Sequence, residues 1–370
     1  MKKNFGKLCV GGVLLLSLSM SLTSCDPYLD DVLGEWSRPT PVTPTVNPDV
    51  TPEPPANPML AVPLTLEVTT AGTIVVNNPR SGMQYSTDGG VTKTTMTATT
   101  TIPTTGELAV GDKVQFYGNG TSIKSYCTSN TDFTKITGGT AKVKVYGNIM
   151  SLVDEEGFAD NKKLTADNTF YWLFDTYNNL TDASGLQLPA TTLTKECYSG
   201  IFHNCSALTT VPEKLPAESL ASNCYQQMFY GCSKLTTAPE LPAENLAPNC
   251  YEMMFSYCNL TTAPALPAKI LATNCYESMF SVCKFLTATP KLPAESLVTE
   301  CYKSMFSGCN SLTTAYVKAA YNATDCADMF FGCTAAGTKT LHTTAANKAS
   351  WDGVMPSTWA GWTTANDWTD

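Results

Sequence analysis

Fifteen cysteines carry most of the chemistry that this sequence offers, and many of them recur with one spacing. Cys197/Cys205, Cys224/Cys232, Cys250/Cys258, Cys275/Cys283 and Cys301/Cys309 are each eight residues apart. In an exported chain such a count points to disulfides. If the segment between two paired cysteines is helical, however, its residues rise about 12 Å, beyond the roughly 7 Å limit between bridged Cα atoms. The spacing therefore favours two ladders of buried thiols acting as small apolar residues over a disulfide framework. Structural zinc fits less well, because its sites use closely spaced Cys pairs and often His. The chain has only His203 and His342, and neither a metal nor a cofactor is expected. Cys326 leaves the register: aligned on Phe330, it holds the Tyr position, and Asp325 holds that of the first Cys.

Tyr198, Tyr225, Tyr251, Tyr276 and Tyr302 follow the first Cys of each pair. They read as a packing ladder at the core edge or as a strip for sugar stacking, and packing is the favoured reading. The pairs Thr209-Thr210, Thr236-Thr237, Thr261-Thr262 and Thr313-Thr314 precede Pro-containing segments whose residues vary, as at Glu213, Lys214, Glu240, Ala265, Lys291 and Lys318. Variable residues on a repeated frame suit a ligand-reading face, and solvated filler is the alternative. The candidate binding face is the Thr pairs with Glu240, Lys291 and Lys318. Asp154-Glu155-Glu156 suits a cap or a solvated surface better than acid–base work. G-x-S-x-G, P-loop and H-E-x-x-H motifs are absent, so an enzyme is not expected. A net charge of −9 would repel a phosphate backbone, which argues against nucleic acid as a partner.

The elements that must position these residues are repeats. Phe202, Phe229, Phe255, Phe280 and Phe306 recur every 25 to 27 residues, with Phe174 before them and Phe330 after. Leu188-Pro189, Leu215-Pro216, Leu241-Pro242, Leu266-Pro267 and Leu292-Pro293 keep step. One unit cannot offset the entropy of ordering its residues, about 1–2 kcal/mol each, so successive units must stack and cover one another. Phe170-Tyr171-Trp172-Leu173-Phe174 lacks both Cys and reads as the first turn. Trp351, Trp359, Trp362 and Trp368 read as a C-terminal cover. Upstream, period-two runs such as Leu64–Val68, Thr73–Val76, Lys113–Tyr117 and Ala141–Tyr146 predict strands, with a hairpin turn at Asp88-Gly89-Gly90 and a turn at Gly118-Asn119-Gly120. Nine prolines between Pro39 and Pro63 predict an extended spacer.

The repeat, with Cys-Tyr-x-x-Met-Phe-x-x-Cys and a Leu three residues on, resembles the BspA-like (treponemal-type) leucine-rich repeats over roughly residues 165 to 335. Phe229, Cys232 and Leu235 map onto that family's core positions. Cys224 stands where Ile is usual and Met228 where Ala is, and the unit is two or three residues longer. The resemblance implies a mixed α/β repeat fold in the form of a leucine-rich-repeat solenoid, and the upstream period-two runs read as a small all-β sandwich domain that precedes it. The leader has Lys2, Lys3 and Lys7 before an apolar run from Leu8 to Leu22 that is too short to span comfortably. Leu22-Thr23-Ser24-Cys25 resembles a bacterial lipobox, which implies lipidation of Cys25, and Asp26, Asp30 and Asp31 loosely resemble a Bacteroides-type surface-export signal.

The expected organisation is a signal peptide (1–24), a spacer (25–61), a β-sandwich (62–147), the solenoid with its N-terminal cap (148–335) and a C-terminal cap (336–370). The implied function is a lipid-anchored outer-membrane protein at the cell surface that binds a protein or host-matrix ligand, touching the membrane through its anchor alone. The alternatives are a glycan-binding protein in which the β-sandwich binds, through Tyr85, Phe116 and Tyr117, and the solenoid is a spacer, and a purely structural surface stalk.

Overall fold

The computed structural model of the chain describes residues 57–118, 133–354, 359 and 361–369. The leader, Cys25, nearly all of the spacer, and Asn119 and Gly120 of the expected turn lie outside the described residues. The end of the spacer, Pro58–Ala61, is a single 3-10 turn capped by the Asn57 side chain, which also donates to Gln187 at 2.9 Å.

The period-two runs form strands. These are β1 (Thr65–Thr70), β2 (Ile74–Asn77), β3 (Gln84–Ser86), β4 (Thr94–Thr95), β5 (Thr100–Ile102), β6 (Lys113–Tyr117), β7 (Lys135–Ile136), β8 (Lys142–Asn148) and β9 (Leu180–Gln187). One sheet has the order β4-β3-β6-β1-β8-β9 and a smaller one β5-β2-β7. Alternation turns Leu66, Val68, Val114, Phe116, Val143 and Val145 into the core. Gly89 and Gly90 take φ +77° and +90° in the turn between β3 and β4, where a side chain would be strained. β9 joins in parallel with β8, so the sheet runs directly into the repeats.

The Cys-Tyr-x-x-Met-Phe segments are not helical, which corrects the premise of the Cys-spacing argument. They are chains of β-turns in which every fourth residue is left-handed, as at Asn223 (φ 57°), Gln227 (φ 53°) and Gly231 (φ 71°). Alternate amides close the turns, with Cys224 donating to Ala221 and Met228 to Tyr225. The remaining amides donate to the following repeat, with Tyr225 reaching the Cys250 carbonyl at 3.1 Å and Phe229 that of Met254 at 2.9 Å. Each linking peptide points its N–H toward the C-terminal end and its carbonyl back. Columns of aligned peptide dipoles therefore run along the stack, the arrangement that gives a helix its macrodipole.

On the opposite edge, β10 (Ala288–Leu292), β11 (Thr314–Val317), β12 (Lys339–His342) and β13 (Trp362–Ala365) form a parallel sheet, and single bridges such as Lys214↔Glu240 take its place in earlier repeats. The mixed α/β expectation does not hold. The described chain is mostly strand and turn, and its α-helix is the short α1 (Lys348–Asp352). Proline and left-handed residues at fixed positions leave no room for a helical turn in the unit.

Identical side chains stack from repeat to repeat. Phe202, Phe229, Phe255, Phe280 and Phe306 lie 5.5–5.7 Å apart between neighbouring centroids. The Tyr column is equally buried, at 5.8–6.2 Å, so it is a packing ladder and not a sugar strip. All twelve described cysteines are free and buried. The second Cys of each pair donates its thiol to a Phe carbonyl of the preceding repeat, as Cys232 does to Phe202 at 3.1 Å and Cys258 to Phe229 at 3.0 Å.

Aromatic side chains pack on both ends. Phe170 and Phe174 stack on Tyr198 and Phe202, and the Ile136 amide of β7 donates to the Leu173 carbonyl at 2.7 Å. Cations meet the carbonyl pole there, with Arg80 at 3.4 Å from the Thr169 carbonyl and Lys135 paired to Asp175 at 2.5 Å. At the other end Trp359 and Trp362 pack on Phe330 at 5.3 and 4.8 Å. Trp351 is buried and donates to the Ala319 carbonyl at 3.0 Å.

Candidate binding face

In three of the four threonine pairs the first threonine is stitched to the preceding repeat. The amides of Thr209, Thr261 and Thr313 donate to the carbonyls of Thr181, Thr236 and Thr287 at 3.0, 3.2 and 3.0 Å. Their hydroxyls turn back on the same carbonyls at 2.9, 3.4 and 3.4 Å. The first threonine thus fixes register, while Thr210, Thr237 and Thr262 are exposed. Thr210 donates to the Asp182 carboxylate. Burial pushes that carboxyl up, but hydrogen bonds from Thr210 and Ser184 more than offset this and hold it below the ordinary range. Thr314 is half-buried in β11, between Ala288 and Thr340 in the sheet.

Beside this column the Leu-Pro segments leave open clefts. Proline lacks the amide that a continuous ladder would need, and in the repeats before β10 isolated bridges such as Lys214↔Glu240 and Asn245↔Ile270 join these segments. One cleft of about 330 Å³ is lined by Pro239, Glu240, Pro242, Pro264, Ala265 and Pro267. Another of about 400 Å³ is lined by Lys269, Ile270, Pro293, Glu295, Val298 and Lys318, and Ile270 is 82% exposed on its rim.

The three variable residues of the expected face are therefore not equivalent. Glu240 is exposed on the first cleft. Lys318 lies on the second, paired with Glu295 at 3.1 Å and only 17% exposed. Lys291 is tied to the C-terminal tail, donating to the Thr369 carbonyl at 2.6 Å with its ammonium 5.7 Å from the Trp368 ring. Tail anchoring explains Lys291 without a ligand.

A second surface feature escaped the sequence reading. Tyr171, Trp172, His203, Tyr230 and Tyr257 form a column of rings with centroid steps of 5.6, 4.5, 5.0 and 5.3 Å. His203 Nδ1 lies 2.8 Å from Asp175. Burial raises the Asp175 carboxyl, but His203 and Lys135 outweigh it and hold it low. Rings stacked face to face present their edges, and only Tyr257, tilted by 57° and 50% exposed, shows a face. The available signal was an aromatic or His one or two residues after the column Phe, at His203, Tyr230 and Tyr257.

The aromatic residues proposed for the N-terminal β region do not form a platform. Phe116 and Tyr117 are buried, and Tyr85 is half-buried against the core. The Tyr117 ring already carries the Lys93 ammonium, 4.3 Å from its centroid. Of the acidic cluster, Asp154 caps the local turn by accepting from the Gly157 amide at 2.8 Å, and Glu155 pairs with Lys93.

Burial pushes the thiols of Cys197, Cys250 and Cys283 from the ordinary 9.0 up to about 12. Nucleophiles and metal ligands act as thiolates, so these side chains are held in their inert form. No group of three or more His, Cys, Asp or Glu able to hold a metal occurs among the described residues. Among the same residues, no helix is long and apolar enough to cross a membrane.

No protein-family model, curated protein or solved structure matches the chain.

Proposed function

We propose that the chain is a cell-surface lipoprotein whose repeats form a leucine-rich-repeat solenoid and bind a protein or extracellular-matrix ligand through the strand-side face. The carrying observation is the column Thr210, Thr237 and Thr262, exposed on a hydrogen-bonded frame beside proline-lined clefts. A rigid frame lowers the entropy lost on binding, and the clefts offer pockets for apolar or aromatic anchors of a partner. Glu240 and Lys318 give neighbouring clefts different charge. Anchoring rests on the resemblance of Leu22-Thr23-Ser24-Cys25 to a lipobox, with multiple acyl chains holding an otherwise soluble part at the membrane.

A binding array of matrix proteins, other host proteins and glycans, probed with the full chain, tests the reading. Separate fragments would not serve, because β8 and β9 share one sheet across the boundary. Capture by a protein on the array that Thr237→Arg abolishes supports the strand-side face. Capture by glycans alone that survives Thr237→Arg overturns it.

A further inference from the structure

The repeat stack ends in a step. On the strand side β12 and β13 continue past the last turn segment, but no turn segment follows residues 323–332 among the described residues. The amides of Tyr302, Ser304, Phe306 and Gly308 still find carbonyls in that last segment. Those of Asp328, Phe330 and Gly332, which point onward, find no acceptor among the described residues. Among the described residues the hydrogen-bonded columns therefore terminate in N–H groups without an acceptor, the positive pole of the aligned dipoles.

A cavity of about 260 Å³ lies on this step, lined by Phe330, Gly332, Cys333, Lys339, Trp359 and Trp362 among others. Lys339 is 6% exposed, and among the described residues its ammonium contacts one carbonyl, that of Ala335 at 3.3 Å, and no carboxylate. The indole N–H groups of Trp359 and Trp362 are both buried without an acceptor. Buried donors are ordinarily paired, and an uncompensated buried charge is costly. Here the residues that carry a cation, two indoles and two of the terminal amides, those of Phe330 and Gly332, line one cavity, and among the described residues almost nothing accepts from them.

We propose that this terminal step is an oxyanion site, taking a carboxylate or sulfate group between the Lys339 ammonium, the indoles and the bare amides. The aromatic walls favour an anion borne on an apolar or ring-shaped body over a fully hydrated one. The site lies at the end of the stack and does not depend on the strand-side reading.

The test is a titration of the full chain with sodium acetate and sodium sulfate, against sodium chloride at matched ionic strength, followed by tryptophan fluorescence. The expected result is a saturable change with at least one oxyanion that chloride does not reproduce. A response to acetate alone assigns a carboxylate, and one to sulfate alone assigns a tetrahedral anion. Lys339→Met should weaken that binding at least about tenfold, as expected for loss of a charge-assisted bond, while leaving the thermal transition unchanged or higher. Trp359→Phe and Trp362→Phe, which keep the ring packing and remove the donors, should each weaken it and carry the test if Lys339→Met does not fold. Absence of any saturable response beyond chloride, or a response that the folded variants leave unchanged, overturns the proposal.

Discussion

Replacing Cys224 and Cys232 one at a time by Ala and by Ser separates two roles that their common spacing conceals. Both thiols are fully buried in the same repeat. Cys232 donates to the Phe202 carbonyl at 3.1 Å, whereas the Cys224 thiol makes no hydrogen bond among the described residues. Loss of the sulfur costs about 1–2 kcal/mol at either position through lost burial and a small cavity. Cys232→Ala adds a lost hydrogen bond, toward the lower end of about 0.5–1.5 kcal/mol because a thiol is a weak donor. Serine reverses the order between the sites. At Cys224 it buries a hydroxyl with no partner, about 1–3 kcal/mol worse than Ala. At Cys232 its hydroxyl meets the waiting carbonyl, so Ser should equal or exceed Ala. Urea midpoints of the full chain under reducing conditions, at constant m-value, give both differences. Serine worse than alanine by the same margin at both positions would refute the donor role of the second column.

Other outcomes follow from the same packing. Burial holds the thiols of Cys197, Cys250 and Cys283 at about 12 while the unfolded chain releases those protons near 9.0. The unfolded state then binds fewer protons, so stability should be full below pH 9 and fall by about 1.4 kcal/mol per pH unit per thiol above it; a flat denaturation midpoint from pH 8 to pH 11 would contradict this. Val282 is held at φ 62°, a conformation costing a branched residue roughly 1–2 kcal/mol, so Val282→Gly should raise the melting temperature, and a fall would show that its packing outweighs the backbone strain. Cys25→Ser should release the protein from membranes in fractionation, and retention there would remove the lipoprotein reading.

The sequence displayed the repeat because stacking demands identical residues at identical places, and Phe, Tyr and Cys recur without ambiguity. The strands upstream were legible for a similar reason, since period-two runs such as Lys113–Tyr117 match only an extended chain. The local geometry of the repeat was misread. An apolar pattern of Cys, Tyr, Met and Phe fits a helix as well as a run of turns. The distinguishing signal was Asn223, Asn249 and Asn274 followed eight residues later by left-handed positions, with Gly231 at one of them. Asn and Gly are the residues that tolerate φ > 0. At the candidate face, the Thr columns were legible because they repeat, but the roles of Lys291 and Lys318 were not. Their partners, Thr369 and Glu295, are set by tertiary contacts that no local pattern records. The step behind Gly332 was equally invisible, since it exists only where the stack stops.

The most direct measurement is binding by the full chain and by a Thr237→Arg/Glu240→Arg/Thr262→Arg variant to whichever array ligand the parent captures. These residues are exposed, and surface changes usually move stability by no more than about 0.5 kcal/mol. If the strand-side face reads the ligand, the variant loses binding and keeps its melting curve. Binding equal to the parent's, with the melting curve unchanged, would contradict that assignment.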